Sequence, residues 1–235
     1  MIKKFMFILV ALQLTACTQF QEMAGDLLSS DVLTSQQIGL GLKEALDLGV
    51  SQGVDKLSAT DGFLKSSYKI LLPDEVQKVT NKLSGIPGFT TVEGKMVELL
   101  NRAAEDAAKS AKPIFVSAIK QMTFADATQI LMGSNNAATN YLERTTSNEL
   151  TNAFRPKVVA SLDRVNATQY WNDVITKYNS IPFVTKVNPD LDDYVTQQAL
   201  SGLFGMVEKK ELGIRKNVSE RKTDLLKKVF AKQDS

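Results

Sequence analysis

The chain has no histidine and a single cysteine, Cys17, in 235 residues. Both shortages exclude chemistry. Imidazole is the usual general base and metal ligand near neutral pH, so Ser-His-Asp triads, Cys-His dyads and histidine-held metal sites are ruled out. One thiol cannot form an intramolecular disulfide or a cysteine zinc site. Tryptophan occurs once, at Trp171, and proline only six times. No apolar run reaches the 20 or so residues that a membrane-crossing helix needs. What remains, 43% hydrophobic and 23% charged residues, is an ordinary globular composition. The length suits one sizeable domain.

The first residues form an address. Met1-Ile2-Lys3-Lys4 is a short basic start, and Phe5 to Ala16 is apolar apart from Gln13 and Thr15. This is the pattern of a secretory signal. It ends in Leu14-Thr15-Ala16-Cys17, which resembles the lipobox of bacterial lipoproteins. The resemblance implies a lipid on the Cys17 thiol, cleavage before it and acylation of the new amino group. Anchoring then rests on two or three chains, since one chain holds only marginally. Thr18, rather than aspartate, follows the cysteine and points to the outer membrane. Residues 1–16 are therefore expected to be a signal peptide, 17–34 a lipidated tether and 35–235 a helical domain.

Cleavage also changes the charge. Lys3 and Lys4 leave with the signal, and 26 basic side chains then face 26 acidic ones. No global basic field argues for nucleic acid. The local exception is residues 208–232, with nine Lys or Arg against four acids. That basic C-terminal helix is a candidate contact for an anionic surface or a protein partner, set against the plainer reading of a solvated face.

The mature chain reads as helices throughout. Ile38, Leu42, Leu46, Val50, Val54 and Leu57 recur at steps of three or four, one helical stripe. Gly39, Gly41, Gly49 and Gly53 interrupt it and require close helix contact or a bend. Pro73 opens a helix that Gly85 to Gly88 close. Val92 to Ala111 follows, and Pro113 predicts a break before Ile114 to Met122. Thr123 and Asp126 form a capping box for a helix to about Gly133, and Thr146 with Glu149 is a second capping signal. Pro156 predicts a kink or a division. Ala167 to Tyr178 carries Tyr170, Trp171 and Tyr178, which with Phe183 are expected in the core, or else in the wall of an apolar pocket. Asn188-Pro189-Asp190 starts a helix to about Lys216, and Ser219 is expected to cap the last one. Ser67 to Leu72 is the best strand candidate, but it is short and precedes proline. The expected fold is all-α, a single bundle of about eight or nine helices.

Several segments of this chain resemble one bacterial family. They include Leu100-Asn101-Arg102-Ala103-Ala104-Glu105, Met122-Thr123-Phe124-Ala125-Asp126-Ala127, Ala137-Ala138-Thr139-Asn140-Tyr141-Leu142 and Thr223-Asp224-Leu225-Leu226-Lys227-Lys228-Val229-Phe230. Together they look like the domain of unknown function 4197, over about residues 37 to 231. The resemblance implies an exported, periplasm-facing helical domain and carries no activity with it. Where family members have acidic pairs before an Ile-Arg element, this chain has Glu208-Lys209-Lys210-Glu211-Leu212-Gly213, and Gly213 weakens the case for an unbroken helix to Lys216.

Two polar groups stand out. Glu98, Asn101, Arg102 and Glu105 lie within two turns of an alanine-rich helix, and Glu211 precedes Arg215 in the favourable i, i+4 order. Each is either part of a polar cleft or a structural network tying helices together. With no histidine, acid-base work would fall to carboxylates, and a carboxylate-based hydrolase is the least favoured reading. Asp190, Asp192 and Asp193 lack the later residues of a calcium loop and suit a helix start. No cofactor motif or metal site is expected. The favoured function is a non-catalytic interaction or envelope-maintenance module. A carrier for a lipid or small apolar ligand between helices is the alternative.

Overall fold

The computed structural model describes residues 33–74, 77, 89–164, 166–180, 182–188 and 190–234. The signal, most of the tether and most of the segment after Pro73 lie outside them. The described residues form eight α-helices and two short 3-10 segments, with no strand. The expected all-α class holds.

Helix α1, Ser35–Ser58, is the centre of the bundle and packs against five other helices. Its start is fixed by a capping box. Thr34 Oγ1 accepts the Gln37 N–H at 3.2 Å, and Gln37 Oε1 accepts the Thr34 N–H at 2.9 Å. The glycines in its stripe are contact points, as their placement requires. A β-carbon at Gly39 would lie 2.3 Å from the Phe124 ring, and one at Gly41 2.6 Å from Val229. Gly49 faces Lys210 and Gly53 faces Met206, so α1 runs antiparallel to the helix that carries them.

Helix α2, Phe89–Ala108, ends before Pro113, and α3, Ala111–Gln121, begins around it. Proline sits in the first turn of α3, where its missing N–H costs nothing. Helix α4, Phe124–Leu131, has the capping box read from Thr123 and Asp126, with bonds of 3.0 and 3.1 Å.

Helix α5, Ala137–Asp163, corrects two readings. Thr146 starts no helix: it is buried in mid-helix and its hydroxyl donates back to the Leu142 carbonyl at 2.6 Å. Pro156 does not divide the helix either. The stripe Leu142, Leu150, Phe154, Val158 and Leu162 is buried on both sides of it, and that packing carries the helix through.

Helix α6, Ala167–Asn179, buries Trp171 as expected. The side chains of Tyr170 and Tyr178 lie outside the described set. Phe183 is not in the core: it is fully exposed on the connection after α6, with φ at 65°.

Helix α7, Leu191–Lys216, is capped by Asp190, whose carboxylate accepts the Asp193 N–H at 2.8 Å. It runs to Lys216, as read from the sequence, and Gly213 does not interrupt it. Helix α8, Asp224–Phe230, is capped by Thr223 and not by Ser219. Thr223 Oγ1 accepts the Leu226 N–H at 3.2 Å, whereas Ser219 falls in the 3-10 turn Val218–Glu220.

The core runs where α1, α2, α5 and α7 meet. Leu42, Val50, Leu100, Leu142, Phe154 and Leu203 fill it, with Phe115 edge-on to Phe204 at 5.8 Å.

Candidate functional site

The structure separates the polar residues into two networks. The first binds the segment after α1 to α2. The backbone turns at Asp61, which adopts φ 67°, a conformation that Asp and Asn tolerate better than most residues. The chain then runs alongside α2 and meets three of its side chains. Glu105, buried, accepts the N–H groups of Phe63 and Leu64 on Oε1, at 3.1 and 3.3 Å. Its Oε2 takes Arg102 Nη1 at 2.8 Å, and Arg102 Nη2 reaches Asp61 Oδ1 at 2.7 Å. These two bonds, that to Glu105 foremost, hold the Arg102 guanidinium protonated more firmly than usual.

The strand candidate Ser67 to Leu72 forms no strand, and Asn101 pairs with its backbone instead. The Asn101 Oδ1 accepts the Ile70 N–H at 2.8 Å, and its Nδ2 donates to the Ile70 carbonyl at 2.8 Å. A side-chain amide carries the same donor and acceptor as a peptide group, so it stands in for a neighbouring strand. The same Nδ2 also donates to the Val97 carbonyl at 2.6 Å. Glu98 takes no part: it is half-exposed and pairs with Lys95 at 3.0 Å.

The second network joins the ends of three helices. Glu211, on α7, accepts the N–H groups of Ala138 and Thr139 at 3.0 and 2.8 Å, and the Thr139 hydroxyl at 2.8 Å. It is a carboxylate cap on the N-terminus of α5, supplied from 72 residues away. Arg215, one turn later, holds Glu211 Oε1 at 2.9 Å. Its other nitrogens donate to the carbonyls of Leu131 and Ile130 at 3.1 and 2.8 Å. Those are the last carbonyls of α4, the negative end of its dipole. One ion pair thus caps the end of one helix and the start of the next.

Arg221 repeats the device and was not singled out from the sequence. It is fully buried beneath the end of α7, where it donates to the carbonyls of Ile214 and Arg215 at 3.0 and 2.8 Å. A two-pronged pair with Asp234, both bonds 2.7 Å, pins the C-terminal residues to it. The only hint in the sequence is residue type. Arginine, with a planar fork of donors, suits buried carbonyls better than lysine does, and the run 208–232 holds two arginines among seven lysines.

The geometry leaves these carboxylates little chemical freedom. Glu105 already receives three hydrogen bonds and Glu211 four. They lie in different networks, on α2 and α7, rather than as a facing pair. Among the described residues no group of three Asp, Glu or Cys is placed to hold a metal ion. Asp190 and Asp193 serve the start of α7. The apolar pocket lined by Leu42, Leu46, Val50, Val207 and Phe230 offers about 20 Å³, room for roughly one water molecule.

Asp61 gives the first network a pH signature. Hydrogen bonds from Lys65 and then Arg102 hold its carboxyl below the usual carboxylate range. A carboxyl with a lowered folded pKa adds stability above its unfolded pKa and loses it as pH falls through the folded value. Asp61→Asn keeps a residue suited to φ 67° but removes the charge. Wild type is expected to exceed this variant in urea midpoint at pH 6, with the gap closing as pH falls below about 4. A gap that stays constant down to pH 2 would contradict the ion pair.

Fold and networks together define an all-α domain whose conspicuous buried charges tie helix ends and connections in place. The chain belongs to the family described as Protein of unknown function (DUF4197), whose model matches residues 32–231. No curated protein and no solved structure matches it.

Proposed function

We propose that this protein is a lipid-anchored envelope domain that works by contact rather than by catalysis. Cys17 is its attachment point, and Thr18 places it at the outer membrane, facing the periplasm. The observation that carries the contact reading is the use to which the charged residues are put. Asn101, Arg102, Glu105, Glu211 and Arg215 are the best candidates for chemistry, and their donors and acceptors are engaged in capping helices and pairing backbone. A carrier for an apolar ligand gains little support: the apolar pocket has space for about one water, and the larger grooves, of 250, 370 and 390 Å³, are lined by polar side chains such as Lys210, Glu143 and Gln77.

Anchoring is tested by Cys17→Ser. Wild-type protein should take up a palmitate analogue in growing cells, and the variant should take up none and keep its signal. Continued labelling of the variant would refute attachment at Cys17. The contact reading is tested by crosslinking in intact cells. A reproducible crosslinked neighbour supports it, and consistent recovery of the protein alone counts against it.

A further inference from the structure

The outward face of α1 is an unusual strip. Leu40 is 44% exposed there, on the side away from the buried Ile38, Leu42 and Ala45. At 100° per residue Lys43 shares its side. Helix α4 borders this face on one edge. The Phe124 ring lies over Gly39 yet stays 47% exposed. Lys43 Nζ stands 5.9 Å from that ring and donates to the Lys120 carbonyl at 3.1 Å. Helix α8 borders the other edge, with Val229 seated on Gly41. Two large apolar side chains therefore sit beside Lys43 and the exposed Lys120, at the end of α1 where the chain from Cys17 enters.

We propose that this strip docks on the membrane that holds the Cys17 lipid, with Leu40 and Phe124 at the headgroup boundary and Lys43 and Lys120 on anionic phosphates. The proposal rests on the lipid anchor and adds an orientation to it. Fifteen residues separate Cys17 from Leu33, so the start of α1 stays within about 55 Å of the anchor. At such a tether length even a weak surface contact becomes effectively intramolecular, at millimolar effective concentration. Apolar side chains flanked by lysine match the chemistry of an anionic interface. The acids nearby are partly engaged: Asp126 is in the cap of α4, and Asp224 pairs with Lys227 at 2.9 Å. Glu44 and Asp47 lie on this same face of α1, about 40° and 20° round from Leu40, so the docking is confined to the first turns of α1 and to Lys43 and Lys120 beside Phe124, with the acids further along the helix from the entry of the chain.

The test uses full-length lipidated protein in vesicles of phosphatidylethanolamine and phosphatidylglycerol with brominated acyl chains. Trp171 is buried and supplies a constant background. Phe124→Trp should lose at least half of its added fluorescence relative to unbrominated vesicles. Lys43→Glu with Lys120→Glu in that background should restore most of it. Phe183→Trp is the control. It precedes α7, whose N-terminus lies at the opposite end of the antiparallel α1–α7 pair, and it should not be quenched. Mass spectrometry of the same sample reports acylation of Cys17. Acylated protein with Phe124→Trp unquenched, or quenched no more than Phe183→Trp, overturns the docking while the anchor stands. Without acylation, the anchor and the anchored docking fall together.

Discussion

Arg215→Met is expected to cost the domain about 3–5 kcal/mol, the usual penalty for breaking a buried ion pair from one side. Arg215 and Glu211 are only 2% and 5% exposed, so the surviving carboxylate would stay in the interior without its cation. For a domain of this size the melting temperature should fall by roughly 10 °C. Urea unfolding followed by circular dichroism measures it, and a change below 1 kcal/mol would show that the pair is incidental. A second variant separates an ion pair from a cap. Replacing both partners with apolar residues is often neutral for a simple buried pair. Here Glu211→Leu with Arg215→Met also strips the first N–H groups of α5 and the Ile130 carbonyl of α4, while the Leu131 carbonyl keeps only the Gln233 amide. Each unpaired buried group costs about 1–3 kcal/mol. The double variant should therefore remain at least 2 kcal/mol below wild type, by the same estimate.

Asn101→Asp is the second large effect, from a change of a single atom. The amide nitrogen donates to the carbonyls of Ile70 and Val97. A carboxylate cannot donate, so two buried carbonyl oxygens would face a negative charge. The loss should be about 3 kcal/mol or more at pH 7.5. Burial and the facing carbonyls raise the folded pKa of the new carboxyl above its unfolded value of about 3.9. The deficit is then full above the folded pKa and shrinks as pH falls through it, because the protonated acid can donate one bond. Urea midpoints at pH 4.5 and 7.5 should show a smaller gap to wild type at the lower pH. Amide exchange at Ile70 should accelerate at pH 7.5. A gap that ignores pH, with Ile70 still protected, would mean that Asn101 does not pair this segment. Wild type's advantage shrinks as pH falls in both cases, for opposite reasons: the Asp61 carboxyl of wild type faces cations and loses stabilisation on protonation, whereas the variant's carboxyl at position 101 would face carbonyls and be relieved by it.

Much of the architecture was legible because it depends on neighbours in the chain. The stripe from Ile38 to Leu57, the capping box at Thr123 and Asp126 and the start of α7 near Asp190 are local facts. Each was readable from residues within a turn or two. The misreadings share one cause. Thr146 with Glu149 and Ser219 have the right local pattern, yet Thr146 lies mid-helix and Ser219 in a 3-10 turn. Burial of a continuous stripe decided the first, and the competing cap at Thr223 decided the second. Phe183 was expected inside on residue type alone, and its connection carries it into solvent.

The polar residues show the same division. The sequence singled out Asn101, Arg102, Glu105, Glu211 and Arg215 through charge and spacing on helices, but it grouped Glu98 with them and passed over Arg221. It offered no partner for most, because those partners are backbone groups 31 to 85 residues away. The sequence by itself determined the all-α class and where most helices begin, since periodicity and caps act within a few residues. It also determined which chemistries are missing, since a chain without histidine cannot use one. Only the tertiary structure decided what the buried charges do. A carboxylate at Glu211 becomes a helix cap only once folding brings the open end of α5 against it. Isolated from that end, the same residue is only an acid one turn before Arg215, open to a structural pair and, less favoured, to acid-base work.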